Sequence, residues 1–433
     1  MDFSISLFQA LYTVNAVFAT VLTLVYFDRV LALVLSVFVP RKKYPATDKR
    51  FNYGYFIAAR NEESVIGDLI QSIRQQDYPS ELIHIFVVAD NCSDRTAEVA
   101  REAGAIVFDR HEDPRGRKSY AVNYGVKRLL SEYSDLNLDA LLVFDADGLL
   151  DPQYTNEVNK AYAAGHKVVS TYRSPKNMGD SCWAAGSAFM FLHEARQVHH
   201  VRSFLGWGTY VSGTGFLLDM SYLRQFGGWP FHALDEDIDI SAYMATIDEK
   251  VAFCGDARFF DEQPVLFRDF RKQRLRWARG NNEVFVSKGW KLFLSLLRRP
   301  RFTKWTMLAH ITPIPAISFL WCILYPIIGL LWYAFNASVP GSVLWAELLK
   351  PSLTNFLFIL IFGLLFGYVT MIETYKTENA SFWQKFVGAS LFPFGMLLMC
   401  PYCLYTFFTD VVWEPIRRAN QIKKDYVEKK AKE

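Results

Sequence analysis

The sequence predicts an α/β domain built on a parallel sheet and flanked by transmembrane α-helices. Short apolar runs at residues 53–58, 83–89, 105–108 and 140–144 alternate with stretches of helical periodicity, the pattern of strands joined by crossover helices. Polar clusters follow the first, second and fourth runs, where ligands of open α/β sheets bind. Uncharged stretches near both ends of the chain are long enough to cross a hydrocarbon layer of about 30 Å.

A length of 433 residues exceeds what one core fills, roughly 250 to 300 residues, so several units are expected. Residues 5–27 carry no charge and run on to Asp28 after an unbasic start, the mark of an uncleaved anchor rather than a secretory signal. Further uncharged stretches lie at 305–335, 353–372 and 386–408. These predict an anchor over 1–40, a sheet domain over 41–282, an amphipathic interfacial helix over 283–302, a membrane region over 303–410 and a basic tail over 411–433. Helical stretches near 63–75, 95–103 and 118–130 supply the crossovers. The formal net charge of +3 argues against a nucleic-acid partner. The six cysteines show no metal-ligand spacing beyond an isolated pair, Cys400 and Cys403, which fits a reducing compartment.

Each strand end offers chemistry beside a plainer alternative. Ala59, Arg60 and Glu62 follow the first run, and Asp90 ends the second; Asp90 could equally start a helix. Asp145 and Asp147 follow the fourth run with one residue between them, suited to a hard divalent cation shared with diphosphate oxygens or to a solvated acidic turn. Lys118 stands at an expected helix start, where a phosphate could meet both the ammonium and free amides; a solvated charge run is the alternative. Ser212, Gly213 and Thr214 lie in a glycine-rich loop between Trp207 and Trp229.

Asp235, Glu236 and Asp237 precede an apolar helical run. The helix dipole alone would favour carboxylates there, but three in succession beside an aromatic, glycine-rich stretch point to a general base. Residues 268–279 hold six basic residues in twelve. Helical spacing places Gln273, Arg276 and Trp277 on one face, an amide, a guanidinium and an aromatic plane together. A basic helix gripping anionic headgroups is the alternative.

In chain order, Asp90, the Asp145/Asp147 pair, the Asp235–Asp237 triplet and the Gln273/Arg276/Trp277 set resemble family 2 processive membrane glycosyltransferases, the cellulose, chitin, hyaluronan and poly-N-acetylglucosamine synthases. The resemblance spans about residues 52 to 282 and the flanking membrane segments. It implies the GT-A (nucleotide-diphospho-sugar transferase) fold and an inverting transfer from a nucleotide sugar, UDP-linked, to a growing glycan. By resemblance, Asp237 is the catalytic base, Asp90 and Asp145 contact uridine and ribose, and Asp147 ligates Mg²⁺ or Mn²⁺. Ala59, Arg60, Glu62, Lys118, Gln273 and Arg276 then face the donor; Trp277, Glu236, Ser212, Gly213 and Thr214 face the acceptor. The family's usual Thr-Glu-Asp is Asp235-Glu236-Asp237 here. Single transfer to a membrane lipid, polyprenyl phosphate or sphingolipid, is the alternative, and a non-catalytic membrane scaffold the remotest.

The positive-inside rule and the crossing count disagree. Three crossings after a cytoplasmic domain put the tail outside, while Arg417, Arg418, Lys423, Lys424, Lys429, Lys430 and Lys432 argue for inside. Either 386–408, interrupted by Pro393 and Pro401, is re-entrant, or the rule fails; the expectation is an inside tail.

Overall fold

The computed structural model describes residues 3–113, 116–335 and 341–411. The N-terminal anchor is two helices, α1 (Phe3–Val25) and α2 (Phe27–Ser36), bent by 47° at their junction. Asp28 stops the uncharged stretch because it is buried against Arg202, at 2.6 Å. A buried carboxylate needs such a partner.

The four anticipated strands form, with ends moved by one or two residues: β1 (Tyr53–Ala59), β2 (Ile83–Asp90), β3 (Ile106–Arg110) and β4 (Ala140–Asp145). Their crossovers are α3 (Ile66–Arg74), α4 (Thr96–Glu102) and α5 (Lys118–Glu132). These strands pair in parallel in the order β3-β2-β1-β4. Both faces are buried, which is why the runs are nearly continuously apolar. Tyr55, Ile57 and Phe144 pack on one face against Leu69 and Ile70; Phe56, Val88 and Val143 pack on the other with Val122 and Val126.

Beyond β4 the sheet becomes mixed. The chain adds β5 (Leu149–Leu150), α6 (Tyr154–Ala163), β6 (Val168–Pro175), α7 (Cys182–His193), a π-helical turn (Glu194–His199) and α8 (His200–Phe204). It continues with β7 (Phe216–Asp219), α9 (Met220–Phe226), α10 (Glu236–Thr246) and β8 (Val251–Asp261). The order is β3-β2-β1-β4-β7-β6-β8-β5, with β7 antiparallel to both β4 and β6. Strand order reverses between β1 and β4, so a crevice opens outside their carboxyl ends.

The interfacial helix is not a separate unit. Residues 267–298 form one helix, α11 (Phe267–Arg298), and the expected boundary after residue 282 falls inside it. Val286, Trp290 and Leu297 are exposed on its later turns, while Val284 and Leu292 are buried. The stretch 305–335 is likewise two helices, α12 (Phe302–Ile311) and α13 (Ile314–Ala334), broken at Thr312-Pro313 because a proline cannot continue the hydrogen-bond ladder of the helix before it. After α14 (Gly341–Leu344) come α15 (Lys350–Thr374) and α16 (Phe382–Phe408).

Among the described residues three helices are long and apolar enough to cross a membrane, at Ala316–Ala334, Lys350–Thr374 and Phe382–Phe408, and the bent α1–α2 pair could supply a fourth crossing. Helix α16 opens with a reciprocal cap between Ser381 and Gln384 and runs unbroken through Pro393 and Pro401. The re-entrant alternative needs a break there, and the helix has none. Almost all of the basic tail, residues 412–433, lies outside the described residues, and its expected inside position with it.

Candidate active site

The strand ends gather as the topology requires. In the β1–β4 register Ala58 lies opposite Asp145, and in the β1–β2 register Ala59 lies opposite Ala89, next to Asp90. The turn after β1 is held by Asn61, at φ +57°, whose side chain accepts from the Ser93 amide at 2.8 Å. The Glu62 amide donates to Thr96 Oγ1 at 2.8 Å. Ala59, Arg60 and Glu62 thus rim the crevice beside the turn after β2. Asp90 is buried against Arg110 at 2.5 Å. Removing either partner would leave an unpaired buried charge, a cost of about 3–5 kcal/mol.

Lys118, the first residue of α5, bridges the two acidic groups. Its ammonium lies 2.5 Å from Asp145 and 3.2 Å from Glu236, and it donates to the Gly213 carbonyl at 3.1 Å. The helix start at which a phosphate contact is expected thus carries an ion-pair bridge. Burial alone would raise the Asp145 carboxyl, but Lys118, with help from Arg173 and Arg276, overrides it and holds the group below the ordinary carboxylate range. Burial works against the Lys118 charge too, and Asp145 and Glu236 outweigh it, so its pKa is raised.

The loop 212–215 sits against this bridge. Thr214 is buried and its hydroxyl accepts from the Asp145 amide at 2.8 Å. Gly213 adopts φ +74°, and a Cβ there would stand 3.5 Å from Asp237 Oδ2. Ser212 donates to Glu194 at 3.3 Å, a residue of the π-helical turn. The sequence-anticipated loop is thus placed between the strand-end acids and the triplet.

Asp235 stands at the N-terminal boundary of α10 without a side-chain capping bond, and Glu236 and Asp237 lie in its first turn. Burial, then the neighbouring Glu236 charge, pushes Asp237 up to about 7, against opposing pulls from Arg276 and Lys118. Burial raises Asp235 well above the carboxylate range although Arg276 stands 3.3 Å away. Gly280 permits this approach of α11, because a Cβ would come 2.4 Å from Asp235 Cγ.

Gln273, Arg276 and Trp277 lie in the first half of α11 as spaced, but they do different things. Arg276 reaches Asp235. Gln273 Oε1 is buried without a hydrogen-bond partner among the described residues. Trp277 meets Phe191 edge-on at 5.6 Å, and the Arg274 guanidinium lies 4.3 Å from its ring centre. Arg173 stacks on the same Phe191, 3.6 Å from the ring centre, and is bound to Asp261 at 2.6 Å. Its charge is drawn to both Asp145 and Asp147. Trp277 therefore joins the acidic rim through an aromatic and a guanidinium that sequence patterning did not single out.

Arg110, Arg173, Arg274 and Glu194 are the residues missed. Arg110 ends β3, and applying the strand-end rule to the third strand would have found it. Arg173 was legible only as a lone charge near the end of an apolar strand.

Asp147 is buried two residues past β4, and its carbonyl accepts from Lys176 at 2.5 Å. Among the described residues no three His, Cys, Asp or Glu side chains cluster as metal ligands. A Mg²⁺ ion at a nucleotide takes only one or two protein carboxylates beside the diphosphate oxygens, a donor chemistry that Asp145 and Asp147 offer at and just past the end of β4.

A parallel sheet half, acids at its strand ends and a helix that begins with three carboxylates across the crevice define a GT-A glycosyltransferase fold. The chain belongs to the glycosyltransferase-like family 2, whose model matches residues 52–280. It is 24% identical over 245 residues to the poly-β-1,6-N-acetyl-D-glucosamine synthase of Staphylococcus epidermidis, covering 54% of this chain and 56% of the relative. It is 24% identical over 316 residues to the β-monoglucosyldiacylglycerol synthase of Synechocystis, covering 68% and 63%. The chain thus spans somewhat over half the length of these relatives. The fold is shared with the mannosyltransferase PcManGT of Pyrobaculum calidifontis, solved with GDP-Man and Mn²⁺, at TM-score 0.50 and 15% identity over 88% of this chain and 98% of that one.

Proposed function

We propose that the chain is a multi-pass membrane glycosyltransferase whose cytoplasmic domain moves a sugar from a UDP-linked donor onto a growing β-linked polysaccharide, with inversion. The observation that carries this reading is the pair of acidic groups bridged by Lys118. Asp145 is held ionised on the donor side, and Asp237 is poised at about 7 across the crevice. A base is most effective when its pKa lies near working pH.

In the proposed reaction Asp237 takes the proton of an acceptor hydroxyl. The freed oxygen bonds to the anomeric carbon while the bond from that carbon to the diphosphate breaks on the opposite face. An α-linked donor thereby yields a β-linkage, and the diphosphate leaves with the bonding pair. Lys118 and Arg276 stabilise negative charge gathering on the leaving group. Trp277 supplies a flat face for an acceptor sugar, and Gln273 Oε1 an acceptor for one of its hydroxyls. Asp90, Ala59, Arg60 and Glu62 flank the nucleotide. A Mg²⁺ or Mn²⁺ ion at Asp147 would neutralise diphosphate charge as a Lewis acid.

A panel of UDP-sugars, assayed for UDP release with and without each metal, tests donor and metal together; no release from any donor would end the proposal. A second reading, single transfer to a membrane lipid, is favoured by the packing of α11 on α16, where Asn282 donates to the Cys403 carbonyl at 2.8 Å. That contact puts α11, which carries the proposed acceptor residue Trp277, beside a helix of membrane-spanning length. Labelled product that enters organic solvent supports the lipid acceptor; long water-soluble chains support the polymer.

A further inference from the structure

Glu283 lies on α11 two turns past Arg276 and is 20% exposed. Its carboxylate grips Arg117 with both oxygens, Oε2 to Nη1 at 2.8 Å and Oε1 to Nη2 at 3.0 Å. Oε2 also accepts from the Leu234 amide at 3.1 Å. Arg117 immediately precedes Lys118, and Leu234 immediately precedes Asp235, Glu236 and Asp237. Arg117 donates further to the His232 carbonyl at 3.1 Å, tying the same two segments to each other. One carboxylate therefore holds the chain just ahead of both partners in the Lys118–Glu236 ion pair.

The same residue faces the membrane-type bundle. Arg279 Nε stands 3.4 Å from Glu283 Oε1. Its other nitrogens donate to the Thr406 carbonyl at 2.9 Å and to Asp410 at 2.6 Å, at the end of α16. Asn282 adds a bond to Thr406 Oγ1 at 3.0 Å. A bidentate guanidinium–carboxylate pair fixes orientation as well as distance, so this chain of contacts transmits position.

We propose that Glu283 is a positioning residue. Through Arg117 and the Leu234 amide it sets the segments bearing Lys118 and Asp237 relative to each other, and through Arg279 it references both to the end of α16. Its catalytic consequence rests on the glycosyltransferase reading; the latch itself does not.

The test uses the full chain in lipid nanodiscs with E283Q, R117Q and D410N. Amide hydrogen exchange should quicken in E283Q at 117–120 and 234–238, with α3 and α4 unchanged. With the UDP-sugar that turns over, kcat should fall roughly tenfold to a hundredfold and donor KM stay within about twofold, because displacement of the base slows the chemical step without removing a donor contact. Unchanged exchange at both segments would overturn the latch whatever the activity. Faster exchange with unchanged kcat, or a raised KM with kcat intact, would overturn the positioning role. If E283Q does not fold, R117Q serves for the same readouts. D410N removes a carboxylate that is 88% exposed; it should produce the same changes at smaller size, and no change there overturns the reference to α16. Absence of UDP release from the unmodified chain would sink the glycosyltransferase reading and leave the exchange measurements to decide the latch.

Discussion

Asp145 at the strand ends and Asp235 and Asp237 at the start of α10 face each other across the crevice, and they are tuned in opposite directions. At the strand ends Asp90 pairs with Arg110 and Asp145 with Lys118. At the start of α10 three acids share Arg276 and the far side of Lys118. The first arrangement depresses Asp145; the second raises Asp235 and Asp237. Residue type is the same, so the ratio of cations to carboxylates and the burial decide the role. An ionised acid suits donor and metal contacts, and a raised one suits proton transfer.

The strongest way to break this contrast is D237N. It keeps size and polarity but cannot take a proton, so kcat should drop roughly a hundred- to ten-thousandfold; an unchanged rate of UDP release would reassign the base. A D145N variant should act differently, raising donor KM by roughly tenfold, the loss of about one charged hydrogen bond, with a smaller change in kcat.

The pH profile sharpens the contrast. Asp237 works deprotonated and is pushed up to about 7 in the unliganded protein, so kcat/KM should rise with pH to a plateau above that value. Glu236 raises Asp237 and Lys118 lowers it. E236Q should therefore move the acidic limb to lower pH and K118M to higher pH, each by about one unit. Shifts in the same direction would show that the two groups do not act on Asp237 through their charge.

The smallest effect is on stability. The folded protein holds the Asp237 proton in a window, about pH 4 to 7, where an unfolded carboxyl has released it. Folding thus loses stability as pH rises through that window. D237N escapes the loss, and its thermal midpoint should exceed that of the parent at pH 8 by roughly 2–4 °C, with the gap closing toward pH 4. Asp145 has the opposite sign: its contribution is present above the ordinary carboxylate range and disappears as pH falls through its lowered value.

The parallel half of the fold was legible because a strand buried on both faces must be apolar along its length, as at Phe56, Ile57, Val87, Val88, Leu142 and Val143. Polar strand ends then located the rim that carries Asp90, Asp145 and Asp147. Helical spacing placed Gln273, Arg276 and Trp277 on α11. Membrane-spanning length was equally plain, since a run of uncharged residues needs no partner to be recognised.

What the tertiary structure decided is which charges meet. Lys118, expected at a phosphate, lies between Asp145 and Glu236 because β4 and the α10 start converge across 90 residues of intervening chain. Arg173 reaches the rim by stacking on Phe191, and Glu283 joins three segments that the chain order keeps apart. The break at Thr312-Pro313 follows from the proline itself, whereas the uninterrupted α16 and the bend after Val25 emerged only in the folded structure. Local periodicity is written in neighbouring residues and survives in one dimension. Electrostatic pairing depends on distances of a few ångströms between residues remote in the chain, and only the folded sheet and its helices fix those.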